Sequence, residues 1–165
     1  MLNIQRIVPS QGTLWFALIN FLVSLTLSLI SPILPLYLKT FAGTDAAVGY
    51  IYSFIAFTLL LGALTAGKIL RAFRRFHILM AALTLLTLTT YLLIIVKSLT
   101  PLLIALFFRT WSIVLIYLII GLYIRSSVKR RQSLGRAEGF YFTFLNLAWL
   151  LGPLIGGSLA EKIRP

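Results

Sequence analysis

Five apolar runs, each long enough to cross a bilayer, restrict this chain more than any other feature of its sequence. They cover residues 14–38, 46–67, 78–96, 101–124 and 139–160, and within them only Arg109 is charged. Each holds roughly 19 to 25 residues, and a hydrocarbon core about 30 Å thick takes about 20 in a helix. A backbone in lipid must satisfy its own hydrogen bonds, so the runs predict an all-α integral membrane protein with five transmembrane helices. Composition agrees: 60% of residues are hydrophobic and only 11% charged, too apolar for a water-soluble chain of this length. The first run is too long for a signal-peptide core and has no small-residue cleavage site after it, so it is expected to stay as a helix.

The formal charge of +12 would suit a nucleic-acid binder, but the placement of the cations argues otherwise. Arg6, then Lys68, Arg71, Arg74 and Arg75, then Arg125, Lys129, Arg130, Arg131 and Arg136 fall on one side of the predicted spans. Lys39, Lys97, Lys162 and Arg164 fall on the other. That bias puts the N-terminus and the second and fourth connections in the cytoplasm of a multi-pass cell-membrane protein. The stretch VKRRQSLGR contains no stacking aromatic and lies between two spans, which favours attraction to anionic lipid headgroups over nucleic acid. The chain has no cysteine, and His77 stands beside arginines with no second ligand, so neither disulfides nor a metal site are expected. No nucleophile triad or phosphate-cradling glycine loop is visible, so neither an enzyme nor a cofactor is predicted.

The chain carries an internal echo. LLGALTAGKILR, ending the second span, and LLGPLIGGSLAE, ending the fifth, share Leu60, Leu61, Gly62, Leu64 and Gly67 with Leu150, Leu151, Gly152, Leu154 and Gly157. Helix two then pairs with helix five, as a three-plus-three repeat requires. Because three is odd, the two copies cross the membrane in opposite directions, the arrangement of many secondary transporters. Small-residue spacing in any packed membrane helix is the competing explanation.

Several motifs resemble the N-terminal half of a major facilitator superfamily transporter, over residues 14–161. SPILPLYL ends the first helix, and GTDAAVGYIYSFIAFTLLLGALTAGKILRAFRR resembles the family's second helix and signature loop. In that loop Gly67 and Arg75 match, whereas Arg71 stands where the family has Asp and Arg74 where it has Gly. A cytoplasmic latch built on that Asp is therefore expected to differ or be absent. Arg109 resembles the family's buried helix-four arginine, with Ser112 and Ile113 in place of the Gln and Gly that follow. LNLAWLLGPLIGGSLAE looks like the Gly-Pro-x-x-Gly-Gly motif of helix five, associated in the family with drug and proton antiporters.

Arg109 lies about 12 Å along its helix from Pro101, near mid-membrane. A cation there costs about 2.5–3.5 kcal/mol on insertion scales, so it must face a protein interior or a water-filled cavity. The only carboxylates, Asp45, Glu138 and Glu161, lie at helix ends. Arg109 reads as an anion-attracting or proton-coupling charge in a pathway, or as a packing residue. Asn20, Ser24, Ser28 and Ser31 share one face of the first helix; they either line a cavity or join helices by hydrogen bonds. The family likeness implies a central cavity bordered by helices one and four, and Asn146 and Trp149 on helix five could point the same way. Gly152, Pro153, Gly156 and Gly157, with Gly62 and Gly67 on helix two, are predicted to form a conformational seam: Pro153 should bend helix five, and the glycines admit a close neighbour.

A six-helix half needs one more helix than the five predicted here, and a transporter of this kind needs a second half. Residues 1–165 are accordingly expected to be a single truncated transmembrane domain, whose glycine seam lacks its partner helices. One part of a split transporter, or a non-transporting membrane scaffold, are the alternatives. The expected partners are a small-molecule solute, with protons as a candidate coupling ion, the lipid bilayer, and a C-terminal half or second subunit.

Overall fold

The computed structural model describes residues 11–126 and 131–163, with side chains described in those stretches except at 11, 13, 131–134, 136, 160, 162 and 163. Six helices follow in order: α1 Gln11–Ile30, α2 Leu34–Ala42, α3 Asp45–Ala72, α4 Arg75–Ile95, α5 Leu99–Ser126 and α6 Arg131–Ile163. Four of them contain a membrane-spanning stretch, and α1 with α2 makes a fifth if that bent pair is one span. Of the charge tally, Arg6, Lys129, Arg130 and Arg164 lie outside the described residues, as do the side chains of Arg131, Arg136 and Lys162 and most of VKRRQSLGR.

The first span departs from the expectation of one continuous helix over 14–38. The chain leaves the helix at 31–33 and re-enters it at Leu34. Pro32 and Pro35 are the cause. Each lacks an N–H, so the carbonyls of Ser28 and Ser31 lose their usual donors within a single turn. The backbone tightens instead, with Ile33 N–H bonding to Ile30 C=O at 3.0 Å. Pro35 falls in the first turn of α2, where a missing N–H does no harm. Pro153 behaves differently: it stands alone in α6, and the helix runs through it without interruption.

The connections are short and locally capped. Gly43 closes α2 with φ of +76°, its N–H reaching Lys39 C=O at 2.9 Å. Thr44 then caps α3, its hydroxyl accepting from Ala47 N–H at 3.2 Å. Because an L-residue resists that left-handed conformation, Gly43→Ala should destabilise the fold by about 1 kcal/mol. Thermal unfolding in detergent reads this, and an unchanged midpoint would refute it. Two residues, Phe73 and Arg74, join α3 to α4.

The chain divides into two compact units. One comprises α1, α6 and the end of α5 from Ile120; the other runs from Pro35 to Ile119. In the first, α1 packs along α6, with Phe21 edge-on to Phe144 and Phe16 stacked on Tyr123 at 4.5 Å. In the second, the Tyr37 hydroxyl donates to the Leu93 carbonyl, and Leu38, Ile51, Leu79, Leu86, Leu102 and Leu106 form part of a buried core. The spans also carry many exposed large apolar side chains, among them Leu60, Leu64, Leu88, Ile94, Leu150 and Leu154, as lipid-facing helices require.

Candidate functional site

In the first unit, the polar face of α1 is turned inward. Asn20, Ser24 and Ser28 are all fully buried, while Ser31 sits at the break and is half-exposed. Ser28 Oγ lies 2.8 Å from the Ala148 carbonyl of α6 and 3.0 Å from the Leu25 carbonyl of its own helix. Asn20 is different: neither its Nδ2 nor its Oδ1 has a hydrogen-bond partner among the described residues.

The α6 surface that meets this face lacks side chains where it matters. A Cβ built on Gly152 would stand 1.9 Å from Ser28 Oγ and 2.8 Å from the Ser28 carbonyl carbon. One on Gly156 would stand 2.2 Å from the Leu29 carbonyl oxygen. Only hydrogen fits at either place. Ala148, Gly152 and Gly156 thus form a four-residue-spaced small stripe on which α1 rests, the general device by which membrane helices approach closely. This corrects the expectation that the seam's partner is missing: Gly152 and Gly156 have theirs in α1. Gly157 and Gly67 have open space around them, and Pro153 is half-buried. Asn146 is exposed on α6, two residues and so roughly 200° around the helix from Ala148. Trp149 is exposed as well.

In the second unit, α5 presents Arg109, Thr110 and Ser112, all buried. Ser112 Oγ donates to the Phe108 carbonyl at 2.8 Å, so its proton is used within its own helix. Arg109 is 7% exposed, and its Nε has no hydrogen-bond partner among the described residues. No carboxylate of the chain lies mid-span to balance it. Asp45 is paired with Lys39 at 2.8 Å, Glu138 with Arg125 at 2.9 Å, and Glu161 is exposed near the end of α6. Gly62 on α3 also faces α5: a Cβ there would come within 3.1 Å of Trp111 Cδ1 and 3.2 Å of Val114 Cγ2. Among the described residues no group of His, Cys, Asp and Glu is placed to hold a metal.

A model of the Major Facilitator Superfamily matches residues 16–164, nearly the whole chain. The chain belongs to that superfamily. No curated protein and no solved structure matches it. This major facilitator chain is therefore a multi-pass membrane protein from a family of transporters, which carry small solutes and are not enzymes.

Within this major facilitator chain, the loop-motif residues Gly67, Arg71 and Arg75 are all exposed at or near the α3–α4 turn. Ser28, Gly152 and Gly156 are brought together in one unit, and Arg109 and Ser112 lie on neighbouring turns of α5 in the other. Ala148 was missed, although its four-residue spacing from Gly152 and Gly156 was a readable signal. Trp111, whose buried Nε1 also lacks a partner among the described residues, was missed without any such signal.

Proposed function

We propose that this chain is the N-terminal transmembrane part of a secondary transporter that moves a small solute by alternating access, with Arg109 as the anion-attracting charge of the pathway. The observation that carries the reading is Arg109 itself: a buried guanidinium whose Nε has no partner among the described residues, with no mid-span carboxylate in the sequence. A buried charge persists only if something balances it. An anionic group of the solute, or a carboxylate of the second half of the transporter, is the natural counter-charge. Proton coupling through this chain's own acids has little support, since all three lie at helix ends.

The α1–α6 contact suits a seam that moves. Ser28 has one hydroxyl hydrogen and two carbonyls in reach, Ala148 on α6 and Leu25 on α1. When α6 shifts, that hydrogen can pass to Leu25, so the helix contact opens without leaving a buried donor unpaired. The glycine-lined surface offers no side chain to obstruct the shift. Each unit holds a close approach at a matching position, Gly152 against α1 and Gly62 against α5, ninety residues apart. That correspondence supports the inverted three-helix repeat. The basic α3–α4 connection is proposed to face the cytoplasm of the cell membrane, together with the N-terminus.

Asn20 provides a test. An amide buried without partners costs about 1–3 kcal/mol, so Asn20→Leu should raise the thermal midpoint by removing that burden. If Asn20 serves the pathway, the same variant should transport more slowly in cells expressing the protein. A stabilised variant with unchanged transport would remove Asn20 from the pathway.

A further inference from the structure

One surface plays no part in the pathway or the seam. Lys68, Arg71, Arg74, Arg75 and His77 fall within ten residues around the α3–α4 turn, and all five side chains are exposed. No acidic residue falls within that stretch. The described ion pairs, Lys39–Asp45 and Arg125–Glu138, involve none of them, and Asp45 sits at the opposite end of α3, about 40 Å away along the helix. Two aromatic rings are set among the cations, Phe73 at 66% and Phe76 at 61% exposure. The turn joins two membrane-spanning helices, so it stands at the level where hydrocarbon gives way to water.

We infer that the α3–α4 turn is a binding surface for anionic phospholipid headgroups. The cations supply complementary charge, and each basic side chain near an anionic leaflet adds to the attraction. The two phenylalanines select the source of the phosphate. A free anion would leave both rings in water, whereas a lipid buries them at the headgroup–acyl boundary, where such rings are stabilised. The tight two-residue connection holds Arg71, at the end of α3, and Arg75, at the start of α4, on either side of Phe73 and Arg74. A phosphodiester at this turn can be met from both helices at once. An acidic protein surface would offer the same charge, but would have to reach rings that border the lipid.

The test uses the full chain, purified in a neutral detergent and titrated with phosphatidylglycerol or phosphatidylcholine of identical acyl chains, bound lipid being counted by native mass spectrometry. Phosphatidylglycerol should be retained about a hundredfold over phosphatidylcholine, and the preference should shrink as ionic strength rises. R71Q/R74Q/R75Q should abolish the preference, each charge contributing about fivefold. R71K/R74K/R75K should keep most of it, and Lys97→Gln, on the other side of the membrane, should leave it intact. Should the triple glutamine variant lose its monodispersity, the three single Arg→Gln variants each carry the same fivefold expectation. F73S/F76S should weaken phosphatidylglycerol retention, and millimolar inorganic phosphate should not displace the lipid. Equal retention of the two lipids, an undiminished preference without the arginines, or displacement by phosphate would each overturn the inference. So would binding of polyglutamate without any lipid preference, which would assign the surface to an acidic protein.

Discussion

Gly156→Ala should force α1 away from α6 and destabilise the protein by about 3 kcal/mol or more, at the upper end of what overpacking costs. The new methyl carbon would meet the Leu29 carbonyl oxygen at 2.2 Å and its Cα at 3.2 Å. These are backbone atoms, so no rotamer change relieves the contact, and no substitution of Leu29 should rescue it. Gly152→Ala meets a mixed obstacle: Ser28 Oγ at 1.9 Å, which a smaller residue removes, and the Ser28 carbonyl carbon at 2.8 Å, which remains. Ser28→Gly should therefore rescue Gly152→Ala in part and Gly156→Ala not at all. Gly157→Ala, with open space around it, should change stability little and serves as the control. Thermal unfolding of the purified variants in one detergent measures them all. A Gly156→Ala midpoint equal to wild type would mean that α1 and α6 do not approach this closely.

Arg109→Ala should lower transport by about 10- to 150-fold, the range expected when a charge-assisted hydrogen bond of about 1.5–3 kcal/mol is lost. Membrane insertion should be unharmed or improved, because the wild-type arginine itself costs about 2.5–3.5 kcal/mol at the helix centre. That opposition separates a pathway role from a packing role. Loss of transport with normal expression and an unchanged or raised melting midpoint supports the pathway. Loss of folded protein with loss of transport would make Arg109 a structural residue. Arg109→Lys should retain part of the activity, since it keeps the charge but not the planar donor fork. Uptake or efflux in cells, normalised to surface expression, is the measurement.

The four unbroken spans were legible because each residue's preference for hydrocarbon is a local quantity that sums along the chain. Prolines were harder. Pro32 and Pro35 stand in plain view inside an apolar run of spanning length, and run length says nothing of them; two lost donors within one turn break α1 from α2. Pro153, with Gly152 before it and Gly156 and Gly157 shortly after, leaves α6 continuous. A proline's effect depends on whether neighbouring groups compensate for the lost hydrogen bond, and those neighbours are absent from the local sequence.

The candidate site was legible in kind and not in arrangement. A charge at mid-span has only one energetically acceptable direction, so the position of Arg109 along its span already dictates that it is hidden. A polar stripe allows more choices. Asn20, Ser24 and Ser28 point inward, whereas Asn146 is exposed, and nothing in the residue type separates the two asparagines. Glycines announce that something comes close without naming it. The length of the chain suggested a partner for Gly152 and Gly156 outside it; the contact is with α1, in a pairing whose Ser28–Ala148 bond spans 120 residues.

Hydropathy and charge by themselves determined that this chain crosses a membrane repeatedly and that Arg109 is hidden. These follow from transfer free energies carried by each residue in its own stretch. Only the tertiary structure decided that α1 lies against the Ala148–Gly152–Gly156 stripe, that Ser28 answers to α6, and that the Asn20 amide has no partner among the described residues. Those outcomes depend on the fit between two surfaces far apart in the chain, and the shape of one carries no record of the other.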